Sequence, residues 1–185
     1  MNEPFDPGAR IHPEHPFATP SADRRPERRL RGRLVGPLTV VTAGDGPTAV
    51  GLTVSSLMMA DGEPAVICAL VDPDSDLADA VEAGGRAVVN VLRWRHRTLA
   101  DVFAGLHPSP GGPFRTGEWT SGAAGPVLAD AAAVAEVTVT DIRPAGWSAL
   151  LTAMVDAVTL PDIEEDDLLA YARGRYRTVS AVRGG

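Results

Sequence analysis

The sequence contains no lysine: all 17 of its basic residues are arginine. That absence removes Schiff-base chemistry on a lysine amine and the lysine of a phosphate-binding P-loop, so pyridoxal-dependent enzymes and P-loop nucleotide hydrolases are excluded. Cysteine is almost as scarce. The single Cys68 rules out an intrachain disulfide and any multi-cysteine zinc site. It lies within the apolar run Ala65 to Val71 and reads as a buried, inert thiol, because reactivity needs exposure and a cationic neighbour. No apolar run approaches the roughly 20 residues that cross a bilayer. The opening Met1-Asn2-Glu3-Pro4 lacks the basic-then-apolar order of a signal peptide. A cytoplasmic protein with no membrane partner is expected. The net charge of -7 argues against nucleic-acid binding by the body of the protein.

What is present fits one folded domain. The 185 residues are 44% hydrophobic and 22% charged, close to the averages for globular chains, and suffice for one sizeable core. Residues 1 to about 30 form a separate zone holding Pro4, Pro7, Pro13, Pro16, Pro20 and Pro26 with little apolar periodicity, read as a flexible arm. At its end Arg24, Arg25, Arg28, Arg29, Arg31 and Arg33 surround a single Glu27, most simply a solvated helix start or arm, the alternative being a phosphate-binding cluster. A domain over residues 31–180 and a short tail over 181–185 follow.

That domain reads as strand-rich. Leu38 to Thr42 and Ala49 to Ser55 flank the turn Gly44-Asp45-Gly46-Pro47, predicting a hairpin. Gly44, Gly46 and Ala49 also have the spacing of a dinucleotide fingerprint, but a true fingerprint opens a helix, whereas Pro47 and a β-like run follow here. Ala65 to Val71 predicts a strand buried on both faces. Ser75 or Asp74 then caps a short helix that carries Leu77, Ala80 and Val81 on one face and stops at Gly84-Gly85. Ala87 to Leu92 is another strand. Leu99, Val102, Phe103 and Leu106 mark a second helix. Residues 107–126 read as a long loop bearing Phe114 and Trp119, and strands return at Val134 to Val139 and Ala149 to Val158, the latter expected to be fully buried. Asp162 to Asp167 reads as an acidic solvated turn with no metal, since a flexible turn rarely fixes the oxygen geometry a divalent ion needs. Strands dominate, two helices are inserted, and there is no strict βαβ alternation. The pattern favours a closed or partly closed antiparallel barrel over a doubly wound sheet.

Thr53-Val54-Ser55-Ser56 ends a strand with three hydroxyls and their backbone donors in four residues. Such groups either hold the polar edge of an aromatic cofactor or its phosphate, with no lysine needed, or simply terminate the strand.

The ordered series LTVVTAG, GLTVSSL, AVICALV with its polar turn, VVNVL, LADVFAG, the Phe114 and Trp119 loop, GPVLAD and YARGRYR resembles the flavin reductase family over roughly residues 30–178. The resemblance implies a mainly β fold, an FMN-binding split barrel of Greek-key-like antiparallel strands with two or three short helices. It implies FMN or FAD as cofactor and NADH or NADPH as co-substrate, with hydride passing from the nicotinamide to the flavin. Thr53, Val54, Ser55 and Ser56 match flavin contacts, and Asp72, Asp74 and Ser75 match the turn beside the ribityl and phosphate portion. Asn90, Phe103 and Ala104 match further pocket residues, while Arg173 and Tyr176 match positions that close the cofactor region or the dimer contact. Relatives often carry Gly-Asp-His before the penultimate strand, where this chain has Gly146-Trp147-Ser148. Ser148 is therefore a catalytic candidate on the nicotinamide side, and His96, the only histidine near a family-matched cofactor segment, is the second, its other reading being a surface histidine. A homodimer and a partner monooxygenase that receives reduced flavin complete the expectation. The alternatives are a noncatalytic flavin-binding split barrel, or one that uses deazaflavin or haem.

Overall fold

The computed structural model describes residues 26–161 and 167–179. Most of the predicted arm, five residues of the acidic turn and the predicted tail lie outside them. The chain divides into two compact units between Leu34 and Val35. In chain order the strands are β1 (Gly36–Pro37), β2 (Thr39–Ala43), β3 (Val50–Val54), β4 (Leu57–Ala60), β5 (Val66–Val71), β6 (Arg86–Val91), β7 (Trp119–Ser121), β8 (Pro126–Leu128), β9 (Ala133–Ala145), β10 (Ser148–Thr159), β11 (Leu168–Ala172) and β12 (Arg175–Val179). The helices are α1 (Pro26–Arg31), α2 (Asp76–Gly84) and α3 (Arg97–Phe103). Of these, α1 belongs to the first unit and buries no residue.

In the second unit, seven strands form one antiparallel sheet in the order β3-β2-β6-β9-β10-β5-β4. Its two outermost strands, β3 and β4, are consecutive in sequence and joined only by Ser55-Ser56. A sheet whose edges are tied by two residues must curl, and Ser55-Ser56 marks the seam of the resulting half-barrel. Every strand except β4 sends buried residues to the concave side, including Val41, Val54, Ile67, Val71, Val89, Val137 and Leu151. Helix α2 closes this core with Leu77, Ala78 and Val81. It starts where the Ser75 hydroxyl accepts the Ala78 N–H (3.3 Å) and stops at Gly85, whose φ of +63° is the left-handed conformation a helix end favours. Burial of Leu77 and Val81 contributes about 1.5–3 kcal/mol each.

The convex side of the β2 and β6 half is a second core. Leu38, Val40, Val88 and Leu92 pack there under α3, Leu128 and Leu169. A smaller sheet, β1-β11-β12, is locked on by a ring of three backbone hydrogen bonds. Leu38 N–H donates to Leu169 (2.9 Å), Leu169 N–H to Leu92 (2.9 Å), and Leu92 N–H to Leu38 (3.0 Å). The convex side of β4, β5 and β10 has no such cover among the described residues, and Met58 and Leu70 on it are 70% and 39% exposed.

The β2 and β3 hairpin forms as expected, with Thr39 opposite Val54 and Ala43 opposite Val50. Its glycines make a turn in which Asp45 accepts the Gly46 N–H (2.8 Å), and no α-helix opens there. Three expectations need correction. First, β5 and β10 are buried on one face only: Ile67, Ala69, Val71, Leu151 and Ala153 point inward, while Cys68 and Leu70 lie on the uncovered face. A continuous apolar run cannot distinguish two covered faces from one covered face and one open apolar face. Second, α3 ends at Phe103, Gly105 turns the chain with φ +70°, and Leu106 is exposed. Third, the hairpin of β11 and β12 was not anticipated. No described helix is long and apolar enough to cross a membrane.

Candidate functional site

Three segments meet at the seam end of the half-barrel. Leu57 pairs with Ala69 and Leu70 N–H donates to the Ser56 carbonyl (2.9 Å), so Ser55 and Ser56 lie level with the end of β5. Ala149 pairs with Val71, so Ser148 comes alongside Asp72. Gly36 backs onto the corner, where a Cβ would collide with the Ser55 carbonyl, and its pairing with Tyr171 brings β11 to the same place. The structure thus gathers Ser55, Ser56, Asp72, Asp74, Ser75 and Ser148 at one end. Gly36 was missed from the sequence, although a strand glycine signals close backbone approach.

The available chemistry at this end is that of hydroxyls. Ser55 and Ser148 are half-buried, and neither hydroxyl has a partner among the described residues. The β5 to α2 turn is more self-contained. Asp72 accepts the Asp74 N–H through its carboxylate (3.0 Å) and the Ser75 hydroxyl through its carbonyl (2.6 Å), and Ser75 also caps α2. With Asp74 exposed there, the turn presents a carboxylate, which disfavours a phosphate. Thr53 lies beside the corner, but its hydroxyl donates to the Ala100 carbonyl of α3 (2.8 Å). Val54 faces the concave core. Trp147 occupies the tip of the β9 and β10 hairpin after Gly146 (φ +63°), and at 69% exposure it does not fill the seam.

Another set of predicted residues lies in the convex core, each with internal partners. Asn90 is fully buried: its amide nitrogen donates to the Val40 carbonyl (3.1 Å) and Thr42 hydroxyl (3.3 Å), and its oxygen accepts the Leu128 N–H (2.8 Å). It clamps β8 onto the sheet. Phe103 is buried in an edge-to-face triad with Phe114 (5.1 Å) and Trp119 (5.4 Å) and sits over Gly51, where a Cβ would come within 2.6 Å of its ring. The aromatic loop is therefore core cover. Ala104 is exposed and caps the C-terminal end of α3 just after Phe103. His96 is buried, its Nδ1 accepting the Arg93 N–H (3.1 Å) and its Nε2 lying 3.1 Å from the Asp130 carboxylate, which also meets Arg95 Nε at 2.9 Å. Burial pushes the Asp130 carboxyl up, but the His96 contact and the charges of His96 and Arg95 outweigh it and hold the group below its ordinary value. Tyr176 donates a short hydrogen bond to Asp101 of α3 and stacks edge-on against Tyr171 at 5.8 Å. Burial first, then the Asp101 bond, push its phenol far above the usual range. Arg173 is exposed in the two-residue turn between β11 and β12, at the left-handed φ of 54°. Among the described residues no three His, Cys, Asp or Glu side chains group to hold a metal.

The family described as flavin reductase like domain matches residues 31–180. The chain belongs to that family. It is 30% identical over 168 residues to the FMN reductase (NADH) RutF of Variovorax paradoxus, covering 90% of this chain and 89% of that protein. It is 25% identical to the 4-hydroxyphenylacetate 3-monooxygenase reductase component of Pseudomonas aeruginosa, covering 84% and 92% of the two chains. Among solved structures, the NADH:FAD oxidoreductase of Streptomyces globisporus, in complex with NAD and FAD fragments, superposes with a TM-score of 0.76. At 23% identity the match covers 94% of this chain and 98% of that one.

Proposed function

We propose that this protein is an NAD(P)H-dependent flavin reductase whose flavin, FMN or FAD, sits against the seam of the half-barrel. The observation that carries this reading is the pair of half-buried hydroxyls of Ser55 and Ser148, without partners among the described residues, on segments that meet at Asp72, in a chain of the flavin reductase-like family. These groups, with the main-chain amides of the same corner, suit the polar edge of a tricyclic ring. When bound, the flavin supplies the acceptor for a hydride leaving the nicotinamide. The chain's own part is to orient two rings and keep water from between them, which needs no acid, base or nucleophile. Ser148 directs the donor side and Ser55 the flavin side.

The protein works as a two-fold dimer. The uncovered apolar face of β4, β5 and β10, with Met58 and Leu70 exposed, adjoins the seam, and a second copy of the same face covers it best because a two-fold contact is self-complementary. Reduced flavin is passed on to a partner monooxygenase, as the name of the Pseudomonas relative suggests for that protein. NADH and NADPH are cytoplasmic reductants, and we place the reaction there. Mixing purified protein with FMN or FAD and either donor should bleach the flavin absorbance under anaerobic conditions. Unchanged absorbance with both donors overturns the reading.

A further inference from the structure

Resting on the flavin site proposed above, the geometry points to Arg97 as the residue that holds the phosphate of the bound flavin nucleotide. In a chain without lysine, arginine is the only permanently cationic side chain that can add a full positive charge to what hydroxyls and main-chain amides offer a phosphate. The turn at Asp72 and Asp74 does not supply it, because it carries exposed carboxylates and its Ser75 hydroxyl is engaged as a helix cap.

Arg97 is carried to the seam by the path of α3. Ala100 meets Thr53 through a hydrogen bond of 2.8 Å, and Phe103 lies over Gly51, so the helix runs antiparallel to β3. Its first residue, Arg97, therefore points back toward the Ser55 end. Sheet register agrees: Thr39 pairs with both Val54 and Val91, which sets Ser55 level with Leu92, next to the Arg93-Trp94 entry to α3.

The side chain is prepared for an anion. The Arg97 guanidinium lies 4.0 Å from the centroid of the Trp94 ring. A guanidinium held against a ring is ordered without using up its N–H donors, and its planar fork can grip two phosphate oxygens at once. Arg97 is half-buried and makes no ion pair among the described residues. By contrast, neighbouring Arg95 is held by Asp130 at 2.9 Å.

Riboflavin shares the ring of FMN and lacks the phosphate, so the two ligands separate this role from general shaping of the site. Equilibrium titration of the flavin-free protein should show Arg97→Ala raising the Kd for FMN about 10–100-fold, as expected for lost hydrogen bonds to a charged group, while the riboflavin Kd stays within about twofold. Arg97→Lys, which keeps the charge but loses the fork and the stack, should fall between. The FMN Kd of the wild type should weaken with added salt more steeply than that of Arg97→Ala. An unchanged FMN Kd, equal losses for FMN and riboflavin, or a raised KM for NADH with FMN affinity intact would each overturn the assignment. Failure of the wild type to bind either flavin would instead bring down the site reading beneath it.

Discussion

Replacing Asn90 with alanine separates a structural residue from a cofactor ligand. Its side chain is fully buried and bonds to Val40, Thr42 and Leu128. Truncation orphans the Leu128 N–H inside the convex core, at about 1–3 kcal/mol, and leaves a small cavity, giving a total of about 3–4 kcal/mol. For a chain of this size each kcal/mol moves Tm by about 2–4 °C, so flavin-free Asn90→Ala should melt about 6–16 °C below wild type. The assay is calorimetric melting of both proteins without flavin, followed by flavin titration well below the lower transition. There the affinity should remain within about threefold, since less than about 0.7 kcal/mol of binding energy is at stake if no contact is lost. A Tm within about 2 °C of wild type, together with a collapse in flavin affinity, would refute the reasoning and return Asn90 to the cofactor site.

Other outcomes follow from the same contacts. Joint replacement of Ser55 and Ser148 by alanine should raise the flavin Kd about 10-fold with no loss of Tm, because neither hydroxyl has a partner among the described residues; flavin titration and a melt check this. Leu70→Asp should halve the solution mass measured by light scattering, by placing a charge on the uncovered apolar face. Asp130 has a depressed pKa, so its contribution is present above the unfolded value near 3.8 and lost as pH falls below it. The stability gap between wild type and Asp130→Asn in urea should therefore shrink at pH 3 relative to pH 7. Tyr176 has a raised pKa, so its contribution is present below about pH 10 and lost above it as the unfolded phenol ionises first. Urea unfolding at pH 9 and pH 11 should show a smaller decline for Tyr176→Phe than for wild type.

Much of the fold was legible because local chemistry and tertiary structure agree. Ser75 and Gly85 bracket α2, and the Gly44 to Pro47 turn joins two β-branched runs, as their residue types require. What the sequence left hidden lies in long-range packing. Gly36 and Gly51 matter because of what presses on them, Ser55 and Phe103, and neither neighbour is near in sequence. Asn90 and Tyr176 look like binding groups by type, but only the fold shows that β8 and α3 already use them. The open face of β5 was unreadable because apolar residues facing a partner and apolar residues facing a core spell the same run.

The ring of hydrogen bonds among Leu38, Leu92 and Leu169 draws on three distant stretches of chain. Take Leu169 away and Leu38 is left with a bare amide and Leu92 with a bare carbonyl in the convex core. The hairpin of β11 and β12 is thus a fastener for two strands that already sit side by side, and a variant without it should yield to added protease sooner than the intact chain.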